Sequence, residues 1–223
     1  MSKKGFSLTS LSHKYVMAAA GAFLMLFLVS HLATNLLLLA GDGGELFDQA
    51  VEFLLTNPAI KIMEYVLFAG FIIHIIVGVI LELHNRRSRP VGYHVAPKSG
   101  TSTFSKFMIH TGIIIFIFLL LHLYHFFFVK LGWMPLYGGA ESGHDFYPMV
   151  VYQFRNPVIS IIYIISFVFL GFHLKHAFQS AFQSFGLNHD KYMPAIKLFG
   201  TLYAIIIAVG FSIIPLYFMF LYK

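Results

Sequence analysis

Residues 157–182 read PVISIIYIISFVFLGFHLKHAFQSAF. From Pro157 to Leu174 the stretch carries no Asp, Glu, Lys or Arg, and about 20 mostly apolar residues are enough for a helix to cross a bilayer. In lipid only helices and closed barrels satisfy every backbone group. Barrel strands alternate polar and apolar positions, and this run does not. It therefore reads as a transmembrane helix. Working outward, the same character recurs near 14–40, 58–83, 107–130 and 195–221. The predicted fold is all-α, a polytopic membrane bundle of five transmembrane helices that makes one transmembrane domain of residues 1–223.

Composition agrees with this reading. The 223 residues are 58% hydrophobic and 11% charged, whereas a soluble domain carries about 25% charged residues. So little charge cannot cover a water-facing surface, which excludes a soluble enzyme, a disordered segment and a nucleic-acid-binding module despite the net charge of +6. Zero cysteines exclude disulfides, Cys-ligated iron–sulfur clusters and covalently attached c-type haem within the chain. The first apolar run, Tyr15 to Ala40, is longer than the 7–15-residue core of a signal peptide and is read as a retained helix.

Charge sets the expected sidedness. Lys3, Lys4 and Lys14 precede the first span. Arg86, Arg87, Arg89, Lys98 and Lys106 lie between the second and third, and Lys191 and Lys197 between the fourth and fifth. These are ten of the fifteen basic residues. The positive-inside rule puts them, and the N-terminus, in the cytoplasm and the C-terminus outside. Gly41-Asp42-Gly43-Gly44 and Gly138-Gly139 mark turns on the opposite side. ELFDQAVEFL between the first two spans has the spacing of a short interfacial helix. The 131–156 stretch reads as a longer loop, with Trp133, Tyr137, Tyr147 and Tyr152 as interfacial anchors.

The histidines carry the chemistry, because ionisable groups within a membrane are costly and mark function. His31 lies 17 residues after Lys14, and His122 lies 16 after Lys106, on spans that run in the same direction. His74 lies 16 residues after Pro58, and His173 lies 16 after Pro157, on spans that run the other way. At about 1.5 Å per residue, the first two share one depth and the second two another. Two level-matched pairs on four helices suit two haems, each held between two imidazoles. Zinc or copper suits them less, since a closed zinc site draws four ligands to one point. Interhelical hydrogen bonding of each histidine is the plainer alternative.

Gly21 lies ten residues before His31, and Gly112 ten before His122. That puts each at the level of the other pair, where a missing side chain admits a flat ring. Gly78 and Gly171 fall near the same pair. His125 and His176 each follow a candidate ligand by one turn, and spacing leaves them as alternatives to it. Otherwise they, with Lys175, Tyr124 and Tyr163, would solvate propionates or tune the haem through its neighbours.

Four blocks, SHLATNLLL around His31, FIIHIIVG around His74, LLLHLYHF around His122 and GFHLKHAFQSAFQSFG around His173, resemble the dihaem cytochrome b membrane anchor of succinate:quinone oxidoreductases, a family that includes the bacterial quinol:fumarate reductases. The resemblance spans nearly the whole chain. It implies two haem b groups, with His74 and His173 holding the proximal one and His31 and His122 the distal one. With that, the spacing reading makes Gly21, Gly112, Lys175 and His176 the candidate cofactor-binding positions. The resemblance implies a membrane quinone, taken as menaquinone, near the distal haem, with Glu52 as its acidic residue and Glu64 or Glu45 in reserve. It also implies a flavoprotein and an iron–sulfur subunit on the cytoplasmic side of a bacterial plasma membrane, the chain itself having no dehydrogenase chemistry. Gly171 stands where some fumarate-reducing relatives have a proton-carrying glutamate. Two rival expectations remain. One is a transporter using histidines as a proton or metal path. The other is the cytochrome b subunit of another respiratory dehydrogenase.

Overall fold

A computed structural model describes residues 10–87 and 108–222. Lys3, Lys4, Arg89, Lys98 and Lys106, on which part of the expected sidedness rests, lie outside the described residues. Seven helices are present among the described residues: α1 (Ser10–Leu36), α2 (Glu45–Thr56), α3 (Pro58–Arg87), α4 (Met108–Lys130), α5 (Phe146–Arg155), α6 (Pro157–Ser184) and α7 (Met193–Phe220). A short 3-10 turn, Leu37–Leu39, closes α1. Helices α1, α3, α4, α6 and α7 are long and apolar enough to cross a membrane. The chain is a multi-pass membrane protein whose five spans fall within a few residues of the positions expected. Helices α2 and α5 lie in the connections at one end of the bundle, here called the loop face.

Sequence chemistry sets the helix ends. Pro58 and Pro157 open α3 and α6, where a missing N–H costs nothing. The Asn156 side chain accepts hydrogen bonds from the amides of Val158 and Ile159, satisfying donors that a helix start leaves free. Asp42 does the same for α2, accepting from Gly44 and Leu46 at 3.0 Å each. Those bonds, led by that from Leu46, hold its carboxyl below the usual range. Gly44 sits at φ 100° with the Tyr147 ring directly against its Cα, so any side chain there would strike that ring. This contact joins α2 to α5. Behind it Asp48 is raised, first by burial and then by the carboxylates of Asp145 and Asp42.

The spans divide into a tight and a loose half. Helices α6 and α7 pack along much of their length, and α1 packs on both. The buried stripe of α7 runs Gly200, Ala204, Ile207, Phe211, Ile214 and Phe218, and that of α6 runs Ser160, Tyr163, Phe167, Leu170 and Leu174. Both have the three-and-four spacing of one helix face. Small residues set the approach: a methyl group on Gly171 would lie 3.0 Å from Ala208 Cβ. Tyr203 adds a hydrogen bond to the Met25 carbonyl at 2.7 Å, tying α7 to α1. Close packing of this kind holds helices together in lipid, where tails are as apolar as the side chains. By contrast α3 rests on α1 and barely touches α4.

Two features were not expected. Helix α5 folds residues 146–155 of what reads as loop, burying Met149, Val150 and Phe154. Helix α4 contains a π turn at Leu123–Phe127, in which the Phe128 amide bonds the Leu123 carbonyl five residues back. Nor are the aromatic anchors alike: Trp133 and Tyr152 are exposed, but Tyr147 packs on Gly44, and Tyr137 turns inward to donate to the His125 carbonyl.

Candidate functional site: two histidine pairs across four spans

The bundle brings the four central histidines together as two pairs. His31 on α1 faces His122 on α4 with ring centres 5.8 Å apart and planes crossed at 80°. His74 on α3 faces His173 on α6 at 6.3 Å and 68°. The first pair lies nearer the loop face and the second nearer the opposite face, as their places along the helices require. Two imidazoles ligating one metal from opposite sides have ring centres about 6.2 Å apart, from about 2 Å per metal–nitrogen bond and about 1.1 Å from nitrogen to ring centre. Both pairs have the spacing of a bis-imidazole site.

The surroundings fit such a site. A buried imidazole nitrogen without a partner costs about 1–3 kcal/mol, and each pair contains one: Nδ1 of His122 in the first and Nδ1 of His74 in the second. The other member of each pair is held. His173 Nδ1 lies 3.2 Å from Thr111 Oγ1, and that hydroxyl gives its own proton to the Met108 carbonyl at 3.0 Å. Thr111 therefore accepts, His173 carries its proton on Nδ1, and the lone pair is left on Nε2 for a metal. His31 Nδ1 lies 3.4 Å from Asn35 Nδ2, which also donates to the His31 carbonyl at 2.8 Å. Among the described residues no three His, Asp or Glu converge on one point. The pairs are two-ligand sites, short of the four ligands of a closed zinc site.

The glycines sit beside the second pair. A methyl group built on Gly21 would lie 3.6 Å from His74 Cε1, and one on Gly112 would lie 3.7 Å from His173 Cε1. Helices α1 and α4, whose own histidines form the first pair, thus pass the second with bare backbone. Gly171 is different: it faces α7, not the histidines, and a methyl group there would already lie 3.0 Å from Ala208 Cβ. The first pair is enclosed by rings. Phe27 stacks on His31 at 5.1 Å and Phe211 lies 5.6 Å from it. Phe118, Phe126 and Tyr163 surround His122.

The remaining candidates separate. His125 turns away from the first pair. Its Nδ1 is 2.9 Å from the Tyr163 hydroxyl, and the two rings stack at 5.8 Å and 9°. Tyr163 is itself 1% exposed, which leaves it no part in solvating a group at the surface. Lys175 and His176 are half-buried on α6 beyond His173, and Tyr124 is exposed on α4. Glu52 is exposed on α2. Glu64 is taken up by Lys130 at 2.5 Å, an ion pair between α3 and α4, with Lys130 also over the Phe127 ring at 5.4 Å. Sequence reading did not find Asn35, Thr111 or the His125–Tyr163 bond. Thr111 stands beside Gly112, next to a position already singled out, but its partner is 62 residues away.

No family model, curated protein or solved structure matches the chain.

Proposed function

We propose that this chain is the dihaem cytochrome b subunit that anchors a succinate:quinone oxidoreductase in a bacterial plasma membrane, with its N-terminus in the cytoplasm. It would pass electrons between an iron–sulfur subunit, itself joined to a flavoprotein, and a membrane quinone, taken as menaquinone. One observation carries the haem reading: two histidine pairs, drawn from four helices, at the ring separation of a bis-imidazole site. The family rests on the four sequence blocks around those histidines.

Haem b supplies one-electron transfer when bound. The chain's part is to hold and insulate it. Thr111 fixes the proton of His173 on Nδ1 and so leaves its Nε2 lone pair for a metal. Gly21 and Gly112 let a flat ring lie against backbone. Phe27, Phe118 and Phe211 exclude water from the pair at the loop face, and such burial is one of the means by which a protein sets a haem potential.

The test is a reduced-minus-oxidised absorption spectrum of the purified protein, with haem measured per chain and co-purifying proteins identified. Two b-type haems and a bound flavoprotein are expected. The crossed imidazole planes should also give strongly anisotropic low-spin EPR signals. A folded preparation without haem would overturn the reading, and haem without a flavoprotein partner would move the chain to another respiratory dehydrogenase.

A further inference from the structure

The loop face carries a cation that no carboxylate meets. Arg155 ends α5 and is exposed. Among the described residues it has no carboxylate partner. Its guanidinium lies instead over the Tyr222 ring, 5.0 Å from the centre. With Tyr147, Tyr152 and Asn156 these two residues line an open cavity of about 620 Å³, between α5, the start of α6 and the end of α7. That volume is in the range of small-ligand sites, and no acid forms part of the wall.

The polar groups of this cavity are donors. An Arg side chain offers a planar fork of N–H groups that grips phosphate with two parallel bonds. The Asn156 side-chain oxygen is taken by the amides of Val158 and Ile159, which leaves its NH2 group as a donor. Tyr147 and Tyr222 share a hydrogen bond. Two hydroxyls joined by one such bond leave one proton over, whichever of them donates. Burial above all raises the Tyr147 hydroxyl beyond its ordinary range, so it stays protonated. Asp42 also acts on Tyr147, but both its oxygens are engaged by the amides of Gly44 and Leu46. A cation, phenols and an amide without a carboxylate suit an anion with several acceptor oxygens.

The place of the cavity in the membrane says which anion. Pro157 opens one span, and Tyr222 lies two residues past the end of another. The cavity is therefore at the level where the hydrocarbon core gives way to headgroups. Into the membrane from there, Val158, Ile161, Ile165, Val168 and Phe172 of α6 are all exposed, at the three-and-four spacing of one helix face. At about 1.5 Å per residue this stripe is about 21 Å long, more than half of a core about 30 Å thick. A phosphate site with an unbroken apolar track beneath it matches the two ends of a phospholipid.

We infer that the cavity bounded by Arg155, Asn156 and Tyr222 holds the phosphate of an anionic phospholipid, with its acyl chains along α6. The site needs only the membrane bundle and stands apart from the haem reading. A headgroup with a cation of its own would set two positive charges together, so phosphatidylglycerol should bind better than phosphatidylcholine.

The test uses the purified holoprotein in dodecyl maltoside, titrated with dioleoylphosphatidylglycerol, with bound lipid counted by native mass spectrometry. One tightly held lipid is expected, and weaker binding of dioleoylphosphatidylcholine. Arg155→Gln should weaken the tight lipid about tenfold, the loss of one charged hydrogen bond. Arg155→Lys keeps the charge without the fork and should fall between. Lys61→Gln removes an exposed cation of α3 that takes no part in the cavity wall, and should change nothing. Circular dichroism checks each variant for folding. If Arg155→Gln does not fold, Arg155→Lys decides.

Equal affinity of the wild type and the deciding variant overturns the proposal. So does equal weakening by Arg155→Gln and Lys61→Gln, which would mean attraction to the face as a whole. Inorganic phosphate at the same concentration should not displace the lipid, because it lacks the chains. Displacement would assign the cavity to a free anion and overturn the lipid.

Discussion

The tight half of the bundle, α1, α6 and α7, differs from the loose half, α3 and α4, which pack on its edges, α3 on α1 and α4 on α6, and scarcely on each other. Of the most apolar stretch of each span, 33% of α7 is buried and 28% each of α1 and α6, against 11% of α4 and 6% of α3. Each histidine pair takes one ring from each half: His31 and His173 from the tight half, His122 and His74 from the loose one. The rings of the tight half have their Nδ1 engaged, by Asn35 and Thr111. Those of the loose half have Nδ1 buried without a partner. Only His173 is thereby fixed with its lone pair on Nε2; Asn35 Nδ2 donates to His31 Nδ1, which favours the other tautomer there. Packing fixes α3 against α1 and α4 against α6, and little packing sets the distance between α3 and α4. The group bound between each pair would complete the assembly, as ligand binding stabilises the state that binds it.

The largest expected effect tests this division. Protein made without haem should show faster hydrogen exchange throughout α3 and α4, with α6 and α7 protected as before. A ligand present at a thousand times its Kd contributes about 4 kcal/mol, so local opening of α3 and α4 should rise about a thousandfold. Equal change in all five spans would break the comparison. Next, His74→Ala and His122→Ala should each remove one haem of two, and each should leave the spectrum of the other pair intact. Loss of both haems from either variant would show that the pairs are not independent.

Smaller changes separate the pairs from each other. Gly21→Val and Gly112→Val place side chains against His74 and His173, and overpacking of this sort costs about 1–3 kcal/mol. Haem occupancy should fall at the second pair and hold at the first. Thr111→Val removes the acceptor of the His173 Nδ1 proton. Loss of such a neighbour lowers affinity about 10–100-fold in metal sites, with a shift in the reduction potential of the same haem. Thr111→Ser should restore both, since only the hydroxyl matters. If Thr111→Val moved the potential of the first pair instead, the pairing drawn here would be wrong.

The sequence announced the spans and the matched depths of the histidines, because both follow from counting along straight helices. It did not announce which face of each helix is buried. In lipid the exposed face is as apolar as the packed one: Ile161, Ile162, Ile165 and Val168 of α6 are exposed while Tyr163, Ser166 and Phe167 are buried. Hydrophobicity therefore cannot separate them. Two polar side chains gave no warning either. Thr111 and Asn35 act on histidine nitrogens through rotamer and helix rotation, neither of which leaves a mark on spacing. The π turn shows the limit of the depth argument. It shifts the register of α4 only after His122, so the count to His122 held, while His125 was carried round to Tyr163.

The smallest effect concerns a polar tie between the two helices of the loose half. Lys130 and Glu64 bridge α4 and α3 at 2.5 Å, with side chains 17% and 35% exposed, and Phe68 meets Phe127 beside them at 4.8 Å. Ion pairs with this much solvent contact contribute about 1 kcal/mol or less, and part of that is screened by salt. Lys130→Met keeps the stem over Phe127 and removes only the charge. It should lower thermal stability by about 1 kcal/mol or less, with haem content unchanged at both pairs and a loss that shrinks as ionic strength rises. A larger loss, with haem released from both pairs together, would mean that the ion pair and not the histidines sets the distance between α3 and α4, and the division into halves would have to be redrawn around it.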